Sequence, residues 1–214
     1  MIEARALTFS WGKHKIIENL SFRVNPGECL VIAGANGTGK TTLLSILAGV
    51  LKPEAGEVTT DGRIGYVPQG SALLEDATVR ENLRFFSDLA HAPIPENLPF
   101  AVRENLSKKV KNLSGGMKKQ VSIACAMAGE PEILLLDEPC ASLDLPFRED
   151  MTAMVTDWKR SGKAVVYVGH DPAEFEAFCS SVLFLSDPPV LLRRGDMEDF
   201  AGVYHTNIMK TKEG

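Results

Sequence analysis

The chain of 214 residues has no long apolar run, and no window approaches the roughly 20 apolar residues that a membrane-spanning helix requires. Its first five residues also lack the apolar segment of a secretory signal. We therefore expect the chain to stay in the cytoplasm.

Basic charge and closely spaced cysteines are scarce as well. Lysine and arginine number 23 against 28 acidic residues, so the formal net charge is −5 and we expect no nucleic-acid partner. The densest basic clusters, at 108–111 and 118–119, are interpreted as solvated helix faces. The four cysteines show no metal-ligand spacing, which predicts reduced thiols inside the core.

A glycine-rich loop stands between an apolar strand-like run, Cys29–Ala33, and a short predicted helix, Thr42–Ala48. This context and the sequence match the phosphate-binding (Walker A) pattern. The glycines let backbone N–H groups turn towards a phosphate, Lys40 reaches phosphate oxygens, and Thr41 can bind Mg²⁺. Taken alone, the loop fits a kinase, a GTPase or a motor. Its candidate nucleotide-binding residues are Gly34, Ala35, Asn36, Gly37, Thr38, Gly39, Lys40, Thr41 and Thr42.

Polar residues follow two apolar runs that are typical of buried parallel strands. The run 133–136 ends in Asp137 and Glu138, and the run 163–169 is followed by His170. Open α/β sheets bind ligands at the carboxyl ends of their strands. We therefore assign Asp137 to Mg²⁺ and Glu138 to the attacking water, while for His170 a structural role and a phosphate contact remain equal alternatives.

Three weaker signals lie elsewhere. Trp11, at a predicted turn, is either a partly buried cover or a platform for a flat ligand. Gln69 follows an apolar strand and either faces the same ligand as the glycine loop or caps a loop. Ser114 is the predicted N-cap of a helix over 117–128, and the open N–H groups of residues 114–116 suit an approaching phosphate.

The overall pattern predicts an α/β fold with a mostly parallel sheet, a small antiparallel β subdomain over the N-terminal strands and a helical subdomain inserted at about 70–130. One domain is expected over 1–205 and a polar tail over 206–214, with fraying from His205. Locally, we predict a hairpin-like turn at Asp61-Gly62, a capped helix over Thr78–Leu89, and a helix from Asp171 to about Ser180.

In this order, the motifs resemble the ATP-binding cassette (ABC) ATPase domain of ABC transporters, from residue 2 to about 200. Leu113–Gln120 (LSGGMKKQ) resembles the family signature, residues 142–144 its D-loop and Gln69 its Q-loop. The resemblance implies ATP and Mg²⁺ as ligands. It makes Trp11 the adenine-stacking aromatic, Gln69 a contact of Mg²⁺ and water, and His170 a γ-phosphate contact.

The resemblance also implies a composite site between two chains, in a homodimer or a heterodimer. Lys40, Glu138 and His170 act as catalytic residues, with Thr41, Gln69 and Asp137 around the metal. The ATP bound by one chain is also contacted by four residues of the other chain: Ser114, Gly115, Gly116 and Asp144. Separate transmembrane permease subunits then hold the ATPase at the inner face of the cell membrane.

Two departures from the family pattern bear on function. The fifth residue of the signature is Met117, where glutamine is commonest, and this variant resembles exporter cassettes of the ABC-2 type. The segment between Gln69 and Ser114 is also short. The small size and the stretch 74–83 also look like haem-exporter cassettes, so we lean towards export. The alternative is a soluble ABC ATPase such as the Fe–S cluster assembly ATPase. A P-loop kinase is disfavoured because it would not explain the signature, Glu138 and His170 together.

Overall fold

Two β-sheets organise the chain in the computed structural model, which describes residues 1–141 and 143–211. The smaller sheet is antiparallel with the order β2-β1-β4. Its strands are β1 (Ile2–Trp11), β2 (His14–Val24) and β4 (Ala55–Thr60). These strands form the predicted antiparallel β subdomain, whose residues Trp11 and Ile16 contact the glycine-rich loop and the start of the following helix.

The larger sheet has the order β5-β6-β7-β3-β8-β9, and only its last strand runs antiparallel to its neighbour. Every residue of β3, β6 and β7 is buried, which explains why these strands read as continuous apolar runs. The strands are β3 (Cys29–Ala33), β5 (Ile64–Val67), β6 (Ile133–Asp137), β7 (Ala164–Val168), β8 (Ser181–Phe184) and β9 (Val190–Arg193).

Helices cover both faces of the larger sheet, and alternate strand residues supply two separate cores. Val31 and Leu134 face one core, whereas Leu30 and Ile133 face the other, as the two-residue period of a strand requires. The helices are α1 (Lys40–Leu47), α2 (Val79–Leu89), α3 (Gly115–Ala126), α4 (Leu145–Arg160), α5 (Pro172–Phe175) and α6 (Phe200–Lys210). Nowhere in the described chain is a helix long and apolar enough to span a membrane.

The helical insertion has its own small core, formed by α2, α3 and the segment between them. The predicted capping box of α2 is present: Thr78 Oγ accepts the Glu81 N–H (3.2 Å), and the Glu81 carboxylate accepts the Thr78 N–H (2.7 Å). A 3₁₀ turn over Phe100–Asn105 follows three prolines, Pro93, Pro95 and Pro99. All four thiols are buried, as predicted, and burial raises the pKa of Cys140 to about 12.

Two local predictions are wrong. The Asp61-Gly62 turn does not close a hairpin, because the largely exposed strand β4 pairs with β1 whereas β5 joins β6 in the larger sheet. The helix after Asp171 ends at Phe175 instead of continuing to about Ser180. The chain leaves the helix there so that both Phe175 and Phe178 reach the core around Tyr167.

The C-terminal segment also differs from its prediction. The fraying expected from His205 is wrong as far as Lys210, because α6 continues to that residue. Tyr204 is 2% exposed and packs against Phe175 and Phe184, so aromatic burial holds this helix on the sheet. Residues 212–214, the end of the tail predicted over 206–214, lie outside the described residues.

Candidate functional site

The glycine-rich loop joins β3 to α1 and has the shape of an anion cradle. Gly37 and Gly39 have φ values of 86° and 96°, in the left-handed region that favours glycine. A Cβ on Gly39 would also lie 2.3 Å from Ile16 Cγ2, so no other residue fits without displacement. Across the described residues, the N–H groups of Gly37, Gly39 and Lys40 have no hydrogen-bond acceptor. The loop therefore presents free donors at a helix N-terminus, where a phosphate is favoured.

Lys40 closes one side of this cradle. Its side chain is largely buried, and Nζ donates to the Gly34 and Ala35 carbonyl oxygens, both at 2.9 Å. Burial lowers the pKa of the ammonium group, and the nearby Glu138 and Asp137 carboxylates act in the opposite direction. The side chain is thus held by neutral carbonyl groups that an anionic ligand can replace.

Asp137 is the last residue of β6 and is completely buried. Neither of its carboxylate oxygens has a hydrogen-bond partner among the described residues. Burial raises the pKa of this carboxyl, and the neighbouring Thr41 hydroxyl and Lys119 and Lys40 charges offset only part of that effect. A buried carboxylate without a partner is unfavourable unless a cation binds it, so the Thr41–Asp137 pair fits a hard cation such as Mg²⁺.

Glu138, Gln69 and His170 meet at the carboxyl ends of three parallel strands. The N–H of Glu138 still donates to the Val168 carbonyl of β7 at 3.1 Å, but its φ of 47° turns the backbone out of the strand conformation. Its Oε1 lies 2.7 Å from His170 Nε2, and its Oε2 accepts a hydrogen bond from Gln69 Nε2 at 3.0 Å. The structure therefore brings together three residues that the sequence singled out separately, and it fixes both oxygens of the carboxylate.

Trp11 stands at the open side of the cradle. Its side chain is 54% exposed, and its indole N–H donates to Thr42 Oγ at 3.3 Å. An exposed aromatic face beside a phosphate cradle can bind a flat ring. The cavity between Trp11 and the loop has a volume of about 330 Å³ and is lined by Trp11, Ile16, Asn36, Gly37, Gly39, Lys40, Thr41, Thr42, Gln69 and Glu138.

The signature residues lie apart from this cavity. Ser114 caps α3 by accepting the Met117 N–H at 3.3 Å, and both Ser114 and Gly115 are exposed. Within the described chain, the N–H groups of Gly115 and Gly116 have no acceptor, and none of residues 114–116 lines the cavity at the phosphate loop. This second donor cluster faces outward and is not joined to the first.

The predicted D-loop contributes only one described side chain with a polar role. Asp144 is exposed and caps α4 by accepting the Phe147 N–H at 3.2 Å, and it too is absent from the lining of the cavity. Ser142 of the same loop lies outside the described residues.

Two contacts of the site were not predicted from the sequence. Lys119, interpreted above as solvated, is partly buried and donates to the Pro68 and Gln69 carbonyl oxygens at 2.9 and 3.0 Å. Thr211, at the end of α6, accepts the Ala35 N–H at 2.9 Å. Both contacts join residues at least 50 positions apart in the sequence, so no local sequence pattern predicts them.

Comparisons with known proteins agree with this arrangement. The family model described as "ABC transporter" matches residues 17–141, more than half of the chain. The chain is 37% identical over 192 residues to a Nod factor export ATP-binding protein I of Burkholderia pseudomallei (strain 1710b), over 80% of this chain and 63% of that protein. It thus spans less than two thirds of the length of that relative.

Two further proteins extend the likeness over almost the whole chain. An uncharacterized ABC transporter ATP-binding protein of Bacillus subtilis (strain 168) is 31% identical, over 97% of this chain and 75% of that protein. A solved structure described as the ATP binding subunit of an ABC transporter superposes with a TM-score of 0.77 at 25% identity, covering 91% of this chain and 87% of that one. The chain therefore belongs to the ABC transporter family, among its ATP-binding members.

Proposed function

We propose that the chain binds and hydrolyses ATP and thereby powers a membrane exporter. The observation that carries this proposal is the Glu138 carboxylate, held between Gln69 and His170 beside an open phosphate cradle. A nucleotide-binding loop alone fits many activities, but a fixed carboxylate at its γ-phosphate side suits attack by water. The Nod factor export relative supports the direction of transport, and no substrate is assigned.

Each residue of the cradle has a role in this reaction. Trp11 stacks on the adenine, and the N–H groups of residues 36–42 bind the phosphates. Lys40 exchanges the loop carbonyls for phosphate oxygens and stabilises the charge that develops there. Glu138 orients the attacking water and accepts its proton, while His170 donates to the γ-phosphate.

The residues also fit a magnesium ion. Asp137, whose buried oxygens are unpartnered in the described chain, would hold Mg²⁺ together with Thr41 and Gln69. Bound there, the ion neutralises charge on the β- and γ-phosphates.

The γ-phosphate side is completed by a second chain, identical or related. The exposed N–H groups at Gly115 and Gly116, with the Ser114 hydroxyl, are suited to an anion but lie outside the cavity at the phosphate loop. Two chains related by a two-fold axis would place this cluster of each over the ATP of the other, with Asp144 at the same interface. Hydrolysis then depends on dimerisation.

The coupled partners are separate transmembrane permease subunits, which place the chain at the inner face of the membrane. Within this family, ATP-binding subunits work with such components. Lys119 ties the signature helix α3 to the backbone of Gln69, so a shift of the helical subdomain reaches the water-positioning carboxylate.

The dimer requirement can be tested with the purified chain. ATP hydrolysis is measured over a wide range of protein concentration, with Lys40→Ala as the control that removes the phosphate contact. The rate is expected to rise more steeply than linearly with protein concentration. Strictly linear activity from a proven monomer would contradict the composite site.

The transport assignment needs a separate experiment. Cross-linking in intact cells, followed by identification of the attached proteins, is expected to yield a polytopic membrane protein whose solute export falls when Glu138 is replaced by Gln. Attachment only to soluble Fe–S scaffold proteins would favour the assembly ATPase instead.

A further inference from the structure

Helix α6 ends directly against the start of the phosphate loop. Thr211 is 6% exposed, and its Oγ accepts the Ala35 N–H at 2.9 Å while donating to the Ile208 carbonyl at 2.8 Å. One hydroxyl thus links the last turn of the helix to the second residue of the loop. None of the functions assigned above uses this contact.

The helix that carries Thr211 is firmly anchored. Phe200 and Tyr204 are both 2% exposed and belong to an aromatic cluster with Phe175 and Phe184. The Tyr204 hydroxyl also donates to the carbonyl oxygen of His170 at 3.3 Å. Helix α6 therefore contacts the backbone of both elements that face the γ-phosphate, the loop and the His170 turn.

Thr211 completes a set of bonds around the Ala35 peptide groups. On the carbonyl side, Ala35 O accepts from Lys40 Nζ at 2.9 Å and from the Thr38 hydroxyl at 3.0 Å. On the amide side, the bond to Thr211 is the one that holds Ala35. The loop in this arrangement already leaves the N–H groups of Gly37 and Gly39 free for a ligand.

We propose that Thr211 is a positioning residue, which keeps the phosphate loop in the conformation that binds nucleotide. The proposal rests on ATP binding by the proposed function, but it concerns the affinity for ATP and not the chemistry. Without the Thr211 hydroxyl, the partly buried Ala35 N–H loses its hydrogen-bond acceptor. Other conformations of the loop, in which this N–H finds a different acceptor or water, then become populated. A lower population of the binding-competent loop weakens the apparent affinity in proportion.

The test replaces Thr211 by valine, which keeps the shape and removes the hydroxyl, and by serine, which keeps the hydroxyl. Since a single hydrogen bond is at stake, Thr211→Val is expected to raise KM for ATP and Kd for a fluorescent ATP analogue by about 2–10-fold. The kcat should change by less than about 2-fold, because saturating nucleotide itself holds the loop. Thr211→Ser is expected to retain the wild-type constants.

Thr156→Val is the matched control, because among the described residues the Thr156 hydroxyl donates only to the carbonyl of Thr152 within α4, at 2.7 Å. Its nucleotide constants should equal those of the wild type. Unchanged KM and Kd in Thr211→Val would overturn the proposal, and so would equal losses in the serine and valine variants. A wild-type chain that fails to bind the analogue would instead refute the proposed function.

A second measurement keeps the proposal testable if Thr211→Val folds poorly. In the wild-type chain without nucleotide, the Ala35 amide is expected to exchange its hydrogen slowly, whereas the free Gly37 amide exchanges rapidly. Equal, fast exchange at both positions would show that the Thr211 bond does not hold the loop in solution.

Discussion

The phosphate loop and the turn at Ser114–Gly116 are both clusters of free backbone donors at helix N-termini, but the chain completes only the first. At the phosphate loop, the start of α1 adds a buried lysine, and the end of β6 adds a buried aspartate and a carboxylate fixed by two neighbours. At residues 114–116, the only polar side chain is the Ser114 cap, and the surface is open.

This difference indicates where each region obtains its stability and its specificity. The phosphate loop is held by Lys40 within it and by contacts from distant parts of the chain, including Ile16 and Thr211, so that its shape exists before nucleotide arrives. The signature turn is held by its own helix cap, and in the proposed dimer its donors would bind the ATP of the partner chain. The first region is preorganised, whereas the second is an exposed surface that we propose becomes part of a site in the dimer.

The largest effect is expected at the fixed carboxylate on the phosphate side. Glu138→Gln keeps the shape of the side chain and one acceptor oxygen, but its amide cannot accept the proton of the attacking water. We expect ATP binding to be retained while turnover falls by about 10²–10⁴-fold, the range for loss of a general base. Steady-state ATPase assays and equilibrium nucleotide binding measure the two quantities separately.

Glu149→Gln supplies the control for this change, because Glu149 is an exposed residue of α4 and takes no part in the site. It should hydrolyse ATP at the wild-type rate. Near-normal hydrolysis by Glu138→Gln would remove Glu138 from the role assigned to it.

The next prediction asks whether the two regions act across chains. Gly115→Glu damages only the signature side, since a Cβ at position 115 meets no atom within 4 Å and the added carboxylate would repel a phosphate. Lys40→Ala damages only the phosphate side. Each variant alone should be inactive, but a mixture should regain roughly a quarter of wild-type activity, because random pairing puts one intact site in half of the dimers.

The double variant, Lys40→Ala with Gly115→Glu, distinguishes true complementation from trace contamination. Mixed with Lys40→Ala, it leaves no dimer with an intact phosphate side and should restore nothing. If the two single variants fail to restore activity at every mixing ratio, the two regions do not form a shared site.

The phosphate side was also the easier region to predict from the sequence. Asp137 and His170 follow apolar runs that become β6 and β7, so their meeting at one sheet edge follows from parallel pairing alone. The capping of α3 by Ser114 was equally local and is present. These predictions succeed because each depends on a short pattern and one general rule of sheet or helix geometry.

The contacts that the sequence did not reveal are tertiary. Lys119 is one of several lysines on a helix, and only the fold places it beside the Gln69 carbonyl. The bond from Ala35 to Thr211 depends on an aromatic anchor at Tyr204, in a segment whose polar composition suggested fraying. The predicted hairpin at Asp61-Gly62 was wrong for the same reason. The turn does not determine which sheet each of its two flanking strands joins, and tertiary packing places β4 beside β1 and β5 beside β6.

The smallest effects are changes in stability, and they should have opposite signs in the two regions. Without Mg²⁺, Asp137→Asn removes a buried charge whose oxygens have no hydrogen-bond partner among the described residues and whose burial the nearby lysines offset only in part, so the free energy of unfolding should rise by on the order of 1 kcal/mol at neutral pH. Ser114→Ala removes a helix cap and should lower the free energy of unfolding by about 1 kcal/mol. Urea unfolding in a chelating buffer measures both.

The pH dependence separates these two origins. Folding raises the pKa of the Asp137 carboxyl. The contribution of this group to the free energy of unfolding is therefore fully present at pH values below its pKa in the unfolded chain, and it is lost as the pH rises through its pKa in the folded chain. The gain from Asp137→Asn should therefore vanish in acid and be largest at neutral pH, whereas the loss from Ser114→Ala should not follow this titration. Saturating Mg²⁺ should stabilise the wild type more than Asp137→Asn. If Asp137→Asn is instead destabilised and does not respond to Mg²⁺, the carboxylate has a structural role at the end of β6. Its burial would then not lower the free energy of unfolding.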